Sequence, residues 1–384
     1  MLRRLRVYLL GEPVSFDRTL LLTAAVLLAS GLVLVSSASI MEAYTMFGDR
    51  YYYLKRQSYN LLAALFMGVL TASIPTDLIR RASAYLMLAS LALLVLVLVV
   101  GAEVNDARRW IRLGPVNIQP AEILKLSWIF YFASFCTRKI SEVRNTNIGF
   151  IKAVALTGLM SILLLAQPDF GSLFVLTCIT FGMLFVAGAG LLKYIFISVA
   201  VAAAGAILVV TQPYRMRRIT SFLDPWQDQF GSGYQLTQSL MAFGRGGMWG
   251  EGLGNSVQKL GYLPEAHTDF VTAILGEECG FAGMILIIVL EFALVYRALA
   301  LAFGILRHKI LFQGFVAFGI GAWFCLQSVI NIGAASGALP TKGLTLPLVS
   351  YGGSSLIVSV MAVAILLRID FEWKYRMFGR DEDD

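Results

Sequence analysis

Charge is scarce in this chain. Asp, Glu, Lys and Arg make up 14% of its 384 residues, against 58% hydrophobic residues, and the mean hydropathy is +0.74. That scarcity excludes the string of soluble domains a chain of this length would otherwise suggest. Cysteine is sparse too: Cys136, Cys178, Cys279 and Cys325 stand singly in or beside apolar segments, with no C-x-x-C pair and no neighbouring histidine. A disulfide framework and a zinc ribbon are excluded, which leaves small packing residues. No G-x-G-x-x-G follows a strand-like run, so a dinucleotide fold is out, and no repeat of fixed period or inverted half-to-half similarity is visible. The net charge of +7 is spread over short segments instead of one basic face, which speaks against nucleic acid.

Long apolar runs are abundant. Ten candidates lie at about 19–40, 57–75, 82–100, 119–136, 148–166, 171–189, 191–211, 270–297, 311–335 and 343–367. Each approaches the ~20 residues a helix needs to cross a hydrocarbon core, whereas barrel strands would be about half as long. The expectation is an all-α integral membrane protein, residues 1–384 forming a single polytopic domain. The N-terminal run imitates a signal peptide, but it is too long for a usual apolar region and more runs follow, so it reads as an uncleaved first span. With the N-terminus inside, the inner segments carry about 18 Lys and Arg and the short outer loops about seven. Both termini are therefore expected in the cytoplasm, and the long segment 212–269, between the seventh and eighth runs, outside the cytoplasmic membrane.

Segment 212–269 is too long for a plain connector, and its aromatics argue against disorder. Six glycines between Gly244 and Gly254 permit either close approach of backbone to a ligand or tight turns. "SVQK", residues 256–259, matches the S-x-x-K of acyl enzymes, but the companion S-D-N and K-T-G elements are missing and the match reads as chance. In "YLPEAHTDF", Asp269 is either the N-cap of the following helix, with Thr268 assisting, or a general base at the mouth of a cavity, while Glu265 and His267 read as supports. Asp169 in "AQPDFGS" reads as an N-cap.

Pro120 suits a first helical turn and puts Glu122 and Lys125 three residues apart, about one turn into the membrane. They are either a buried structural ion pair or the wall of a polar site. Arg108, Arg109 and Arg112 either hold phosphate or anchor the interface beside Trp110. The stretch around Ser350, "LPTKGLTLPLVSYGGSS", sets small residues and two prolines where regular helix is hard to keep, so it must be protein-buried or line a cavity.

Taken in order, "ARRWIRLGPVNIQPAEILK", "QPDFG", "GSGYQLTQSLMAFGRGG", "GEGLGNSVQKLGYLPEAHTDF", "GEECGFAG" and "LPTKGLTLPLVSYGGSS" resemble the SEDS family (shape, elongation, division and sporulation) over nearly the whole chain, and its division branch more than its elongation branch. Cys279 stands where the family commonly has leucine. The resemblance implies a ten-span glycosyltransferase that polymerises lipid II outside the cytoplasmic membrane at the division septum, with an essential aspartate matching Asp269. It implies inversion at the anomeric carbon, which requires one base and no second carboxylate as nucleophile. Asp269 would act as that base or as ligand to a divalent cation, which would be the one cofactor. Arg108, Arg109, Arg112, Arg215, Arg245 or Lys342 would meet the departing pyrophosphate. The implied partners are a class B penicillin-binding protein, other division proteins and membrane lipids. A lipid II flippase and a non-catalytic division scaffold are the alternative readings.

Overall fold

The computed structural model describes residues 16–378 except 105–106, 114–115, 212–215, 217–219 and 342. Arg215 and Lys342 thus lie outside the described residues. Ten helices of 18 residues or more overlay the ten apolar runs: α1 Arg18–Phe47, α2 Tyr52–Ser73, α3 Thr76–Val100, α4 Pro120–Arg138, α6 Asn147–Ala166, α7 Phe170–Ala187, α8 Leu191–Val210, α10 Val271–Arg307, α11 Leu311–Ala335 and α12 Gly353–Phe378. Shorter helices include α5 Ile140–Asn145 and α9 Tyr234–Gly246. Seven of the ten, α1, α3, α6, α7, α10, α11 and α12, are long and apolar enough to cross a membrane.

Local chemistry sets several helix ends. Asp17 caps α1 by accepting from the Leu20 amide at 3.1 Å, and Asp169 caps α7 through the Ser172 amide at 3.0 Å. Asp169 therefore does what its place before an apolar run implied. Gly188, left-handed at φ 88°, closes α7 and separates it from α8. In the core, α10 packs on α11, α12 on α2, α3 on α4, and α4 on α11. Trp128, Phe132, Trp323 and Phe324 lie fully inside it.

Two features depart from the sequence reading. Residues 102–118 form a three-stranded antiparallel meander, β1 Ala102–Val104, β2 Ala107–Leu113 and β3 Val116–Ile118, between α3 and α4. The tenth helix also begins later than its apolar run, at Gly353. Residues 343–352 stay irregular because Pro347 has no amide to donate and Leu348 sits at φ 62°. The Leu346 amide turns to the Ser350 hydroxyl at 2.8 Å instead of a helical carbonyl.

Helix α10 is broken at Gly280, whose φ 65° and ψ −164° no other residue adopts without strain. A break inside an apolar helix exposes backbone donors and acceptors, which must be satisfied nearby. Here the loop after α9 supplies them. The amides of Phe281 and Ala282 donate to Gly247 O and Met248 O at 2.9 and 3.1 Å, and the amides of Glu251 and Gly252 donate to Glu277 O and Glu278 O at 3.0 Å each. A Cβ at Gly246 or Gly250 would collide with the α10 backbone. The glycine-rich stretch therefore serves chain-to-chain approach on α10.

Candidate active site around Asp269

The turn carrying Asp269 is built by its neighbours. Glu265, at φ 54°, offers its carbonyl to the amides of Thr268 and Phe270, both at 3.2 Å, and its exposed carboxylate accepts the Thr268 hydroxyl at 2.7 Å. Beneath the turn, Leu263, Ala266 and Phe270 join Ala273, Ile274, Ala242, Ala38 and Ala335 in a separate apolar cluster. Burial of Leu263 and Phe270 alone contributes roughly 1.5–3 kcal/mol each to holding the turn down.

Asp269 does not cap α10. The N-cap is Phe270, with no side-chain cap bond, so the simpler of the two sequence readings does not describe this helix start. The half-buried Asp269 carboxylate instead stands over the irregular 343–352 segment, where a methyl group on Gly343 would come within 2.8 Å of Oδ2. Asn331 on α11 ties the two segments together: its Nδ2 donates to Asp269 O at 2.9 Å and to Leu344 O at 2.6 Å. His267 makes the second tie, its carbonyl accepting the Tyr351 amide at 3.0 Å.

One turn along α11 from Asn331, Gln327 continues the chain of contacts. Its Nε2 donates to Thr345 O at 2.8 Å, and its Oε1 accepts from Lys125 Nζ at 3.0 Å and Trp323 Nε1 at 2.6 Å. Lys125 also donates to Glu122 at 2.8 Å and lies 4.9 Å from the Trp323 ring centroid. Lys125 and Glu122 are 0% and 3% exposed, so the pair sits inside the protein directly behind the 343–352 segment. Asp269, Asn331, Gln327, Lys125 and Glu122 are thus one hydrogen-bonded assembly, joined through the backbone at Leu344 and Thr345. Ser350 belongs to the same segment, and its carbonyl faces Gln57 Nε2 at 3.5 Å.

His267 is buried between the rings of Tyr53 and Tyr351, at 4.4 and 5.2 Å, with Nδ1 3.2 Å from a Glu42 carboxylate oxygen. Burial, with Glu42 beside it, pushes the Tyr53 hydroxyl well above its usual range, so it stays protonated and donates to Glu42 at 3.2 Å. Burial pushes the Tyr351 hydroxyl up as well.

The arginines are dispersed. Arg108 pairs with Glu103 at 3.1 Å, and Arg109 clasps the carbonyls of Gln167 and Pro168 at the start of α7. Arg112 is exposed on β2 and has no ion pair among the described residues. Arg245, at the end of α9, lies 3.7 Å from Glu277.

Sequence reasoning passed over the support beneath the loop. Glu277, fully buried, accepts the Ser256 hydroxyl at 2.5 Å and the amides of Val257 and Gln258 at 2.9 and 3.2 Å. Glu278 accepts Lys259 at 2.6 Å and Ser37 of α1 at 2.7 Å. The signal was present: adjacent carboxylates inside an apolar run are expensive unless matched, and the unmatched partner was the lysine of "SVQK". Among the described residues there is no group of three or more His, Cys, Asp or Glu placed to hold a metal ion. A divalent cation at Asp269 would draw most of its ligands from substrate phosphate and water.

The family model described as "Cell cycle protein", covering FtsW, RodA and SpoVE, matches residues 17–375. The chain is 55% identical over 361 residues to a probable peptidoglycan glycosyltransferase FtsW of Tolumonas auensis, covering 94% of each. It is 49% identical over 359 residues to the protein of the same name from Escherichia coli O6:H1, covering 94% of this chain and 87% of that one. Among solved structures, it resembles a chain from a peptidoglycan synthase complex that coordinates polymerization and crosslinking, with TM-score 0.76, 30% identity and coverage of 93% and 98%. It also resembles the rod shape determining protein RodA of Thermus thermophilus, with TM-score 0.69, 29% identity and coverage of 92% and 96%.

Proposed function

The chain belongs to the FtsW/RodA/SpoVE family, and on that premise we infer that it is a bacterial membrane peptidoglycan glycosyltransferase that polymerises lipid II, with Asp269 as its general base. The observation that carries the assignment of the base is the Asp269 turn: its carboxylate is not used to cap α10 and is set against the 343–352 segment that Asn331 holds.

In this reading the 4-hydroxyl of an incoming lipid II gives its proton to Asp269 as its oxygen attacks the anomeric carbon of the growing strand. The bond to the lipid pyrophosphate breaks with inversion, and its charge is met by Arg112 and by Arg215 and Lys342. Asn331, His267 and Glu265 position the turn. The Lys125–Glu122 pair fixes the face of α4 that backs the 343–352 segment. Because the solved relative comes from a synthase complex, we assign this chain a crosslinking partner of the class B penicillin-binding type, and because its curated relatives carry the FtsW name we propose a place at the septum.

Strand synthesis from lipid II by purified protein in detergent, with that partner present, tests the reading without membrane sidedness. Asp269→Asn should lower kcat by about 10²–10⁴-fold. Wild-type strand synthesis by a folded Asp269→Asn protein would remove Asp269 as base, and no product from wild type would remove the enzyme reading in favour of a flippase or scaffold.

A further inference from the structure

Helix α10 begins beside Asp269 and ends at Arg307, and around its far end lie two adjoining cavities of about 280 and 440 Å³ that share Asp77 and Arg80. Their walls bring together Arg80, Arg81, Arg138, Lys309 and Arg376 against a single carboxylate, Asp77. Basic residues at a membrane boundary are ordinary, and several at this end are matched: Arg368 by Glu372 and Lys374 by Asp370, both at 2.7 Å, and Lys139 by Glu142. At the cavities the one ion pair among the described residues is Arg376 with Asp77, at 3.9 Å. Arg138 donates to a carbonyl of its own helix, and Arg80 lies over the Phe312 ring. Glu372 is already held by Thr76, Gln313 and Arg368.

Two independent features add to this excess of positive charge. The first turn of α11, from Ile310 to Gln313, forms part of the wall, and its N-cap Ile310 contributes no side-chain bond. Amides and the positive end of a 25-residue helix therefore face the cavity. Gln313, only 3% exposed, donates through Nε2 to Thr76 and Glu372 while its buried Oε1 has no partner. The site thus offers cations and amides to an anion and one acceptor to a donor, with Ile310, Leu311 and Phe312 as apolar wall.

We propose that this is a binding site for the phosphodiester headgroup of an anionic phospholipid whose headgroup also carries a hydroxyl. The phosphate sits among Arg80, Lys309 and the α11 amides, the hydroxyl donates to Gln313 Oε1, and the glycerol backbone lies along Phe312. Basic pockets between helices at a membrane boundary have the chemistry such headgroups require.

The test uses the full-length protein in nanodiscs of phosphatidylcholine with graded phosphatidylglycerol, counting lipids retained per protein by native mass spectrometry. Wild type should retain phosphatidylglycerol selectively. Lys309→Gln should weaken retention about fivefold and Arg80→Gln with Lys309→Gln about 25-fold, at roughly one factor of five per cation. Arg307→Gln, which removes a charge at the same end but outside the cavity, should change it less than about twofold. Equal loss in the Arg307 control would reduce the site to general surface charge and overturn the proposal, as would equal retention of phosphatidylcholine by wild type. Displacement of the lipid by millimolar inorganic phosphate, with the same thermal stabilisation, would assign the site to a soluble anion instead. Lys309→Gln, exposed and singly substituted, keeps the test open if the double variant does not fold.

Discussion

Replacing Lys125 by methionine removes the one cation that faces Glu122 in the interior. Lys125 Nζ makes hydrogen bonds of 2.8 Å to Glu122 and 3.0 Å to Gln327, and neither member of the ion pair touches solvent to any extent. Gln327 Oε1 keeps the Trp323 indole as a donor after the change, so the loss falls on Glu122, whose Oε2 already lacks a partner. An unmatched buried charge costs about 3–5 kcal/mol, while exchanging a whole buried pair for apolar or neutral groups of similar volume is often nearly neutral. Lys125→Met should therefore lower the unfolding midpoint in detergent by about 5–15 °C on the scale of soluble domains. Lys125→Met combined with Glu122→Gln should recover most of it. Thermal unfolding followed by loss of the monodisperse size-exclusion peak measures both. Equal midpoints for the single and double variants would refute the reasoning, because the cost would then lie in lost lysine packing and not in the stranded carboxylate.

Asn331→Ala removes both hydrogen bonds of the Asn331 tie and leaves only the His267–Tyr351 backbone bond between the Asp269 turn and the 343–352 segment, so kcat for strand synthesis should fall about tenfold or more with KM little changed, as steady-state kinetics would read. Gly280→Ala forces a methyl group into φ 65° and against Met248, and limited proteolysis should show the loop after α9 released while the protein remains membrane-inserted. Ser256→Ala takes one of three donors from Glu277 and should cost about 1 kcal/mol, whereas Glu277→Ala strands all three and should cost several times more in the same unfolding assay.

The membrane-embedded helices were legible because a long apolar run is a property of one segment, and so was the Asp169 cap, where a short side chain precedes its helix. The meander at 102–118 was not, since its strands are only three to seven residues long and three of its residues are arginines. Asp269 and the Lys125–Glu122 pair stood out as charges where charge is costly. Asn331 and Gln327, which join them, did not: two amides four apart in an apolar helix become meaningful only when their acceptors on residues 344 and 345 are in view. The same holds for Glu277 and Glu278, whose partners come from the loop and from α1.

The break at Gly280 bears on how loss-of-function screens of this protein will read. Its pairing with residues 247–252 is made entirely of backbone, so the positions that tolerate least change there, Gly246, Gly250 and Gly280, have no side chain to meet a substrate. A saturation screen should rank them beside Asp269, and a map drawn from such scores alone would extend the catalytic surface onto a seam that only holds two segments in register. Null alleles at these glycines would yield to second-site changes that restore the seam, whereas loss of Asp269, the proposed base, would have no such suppressor.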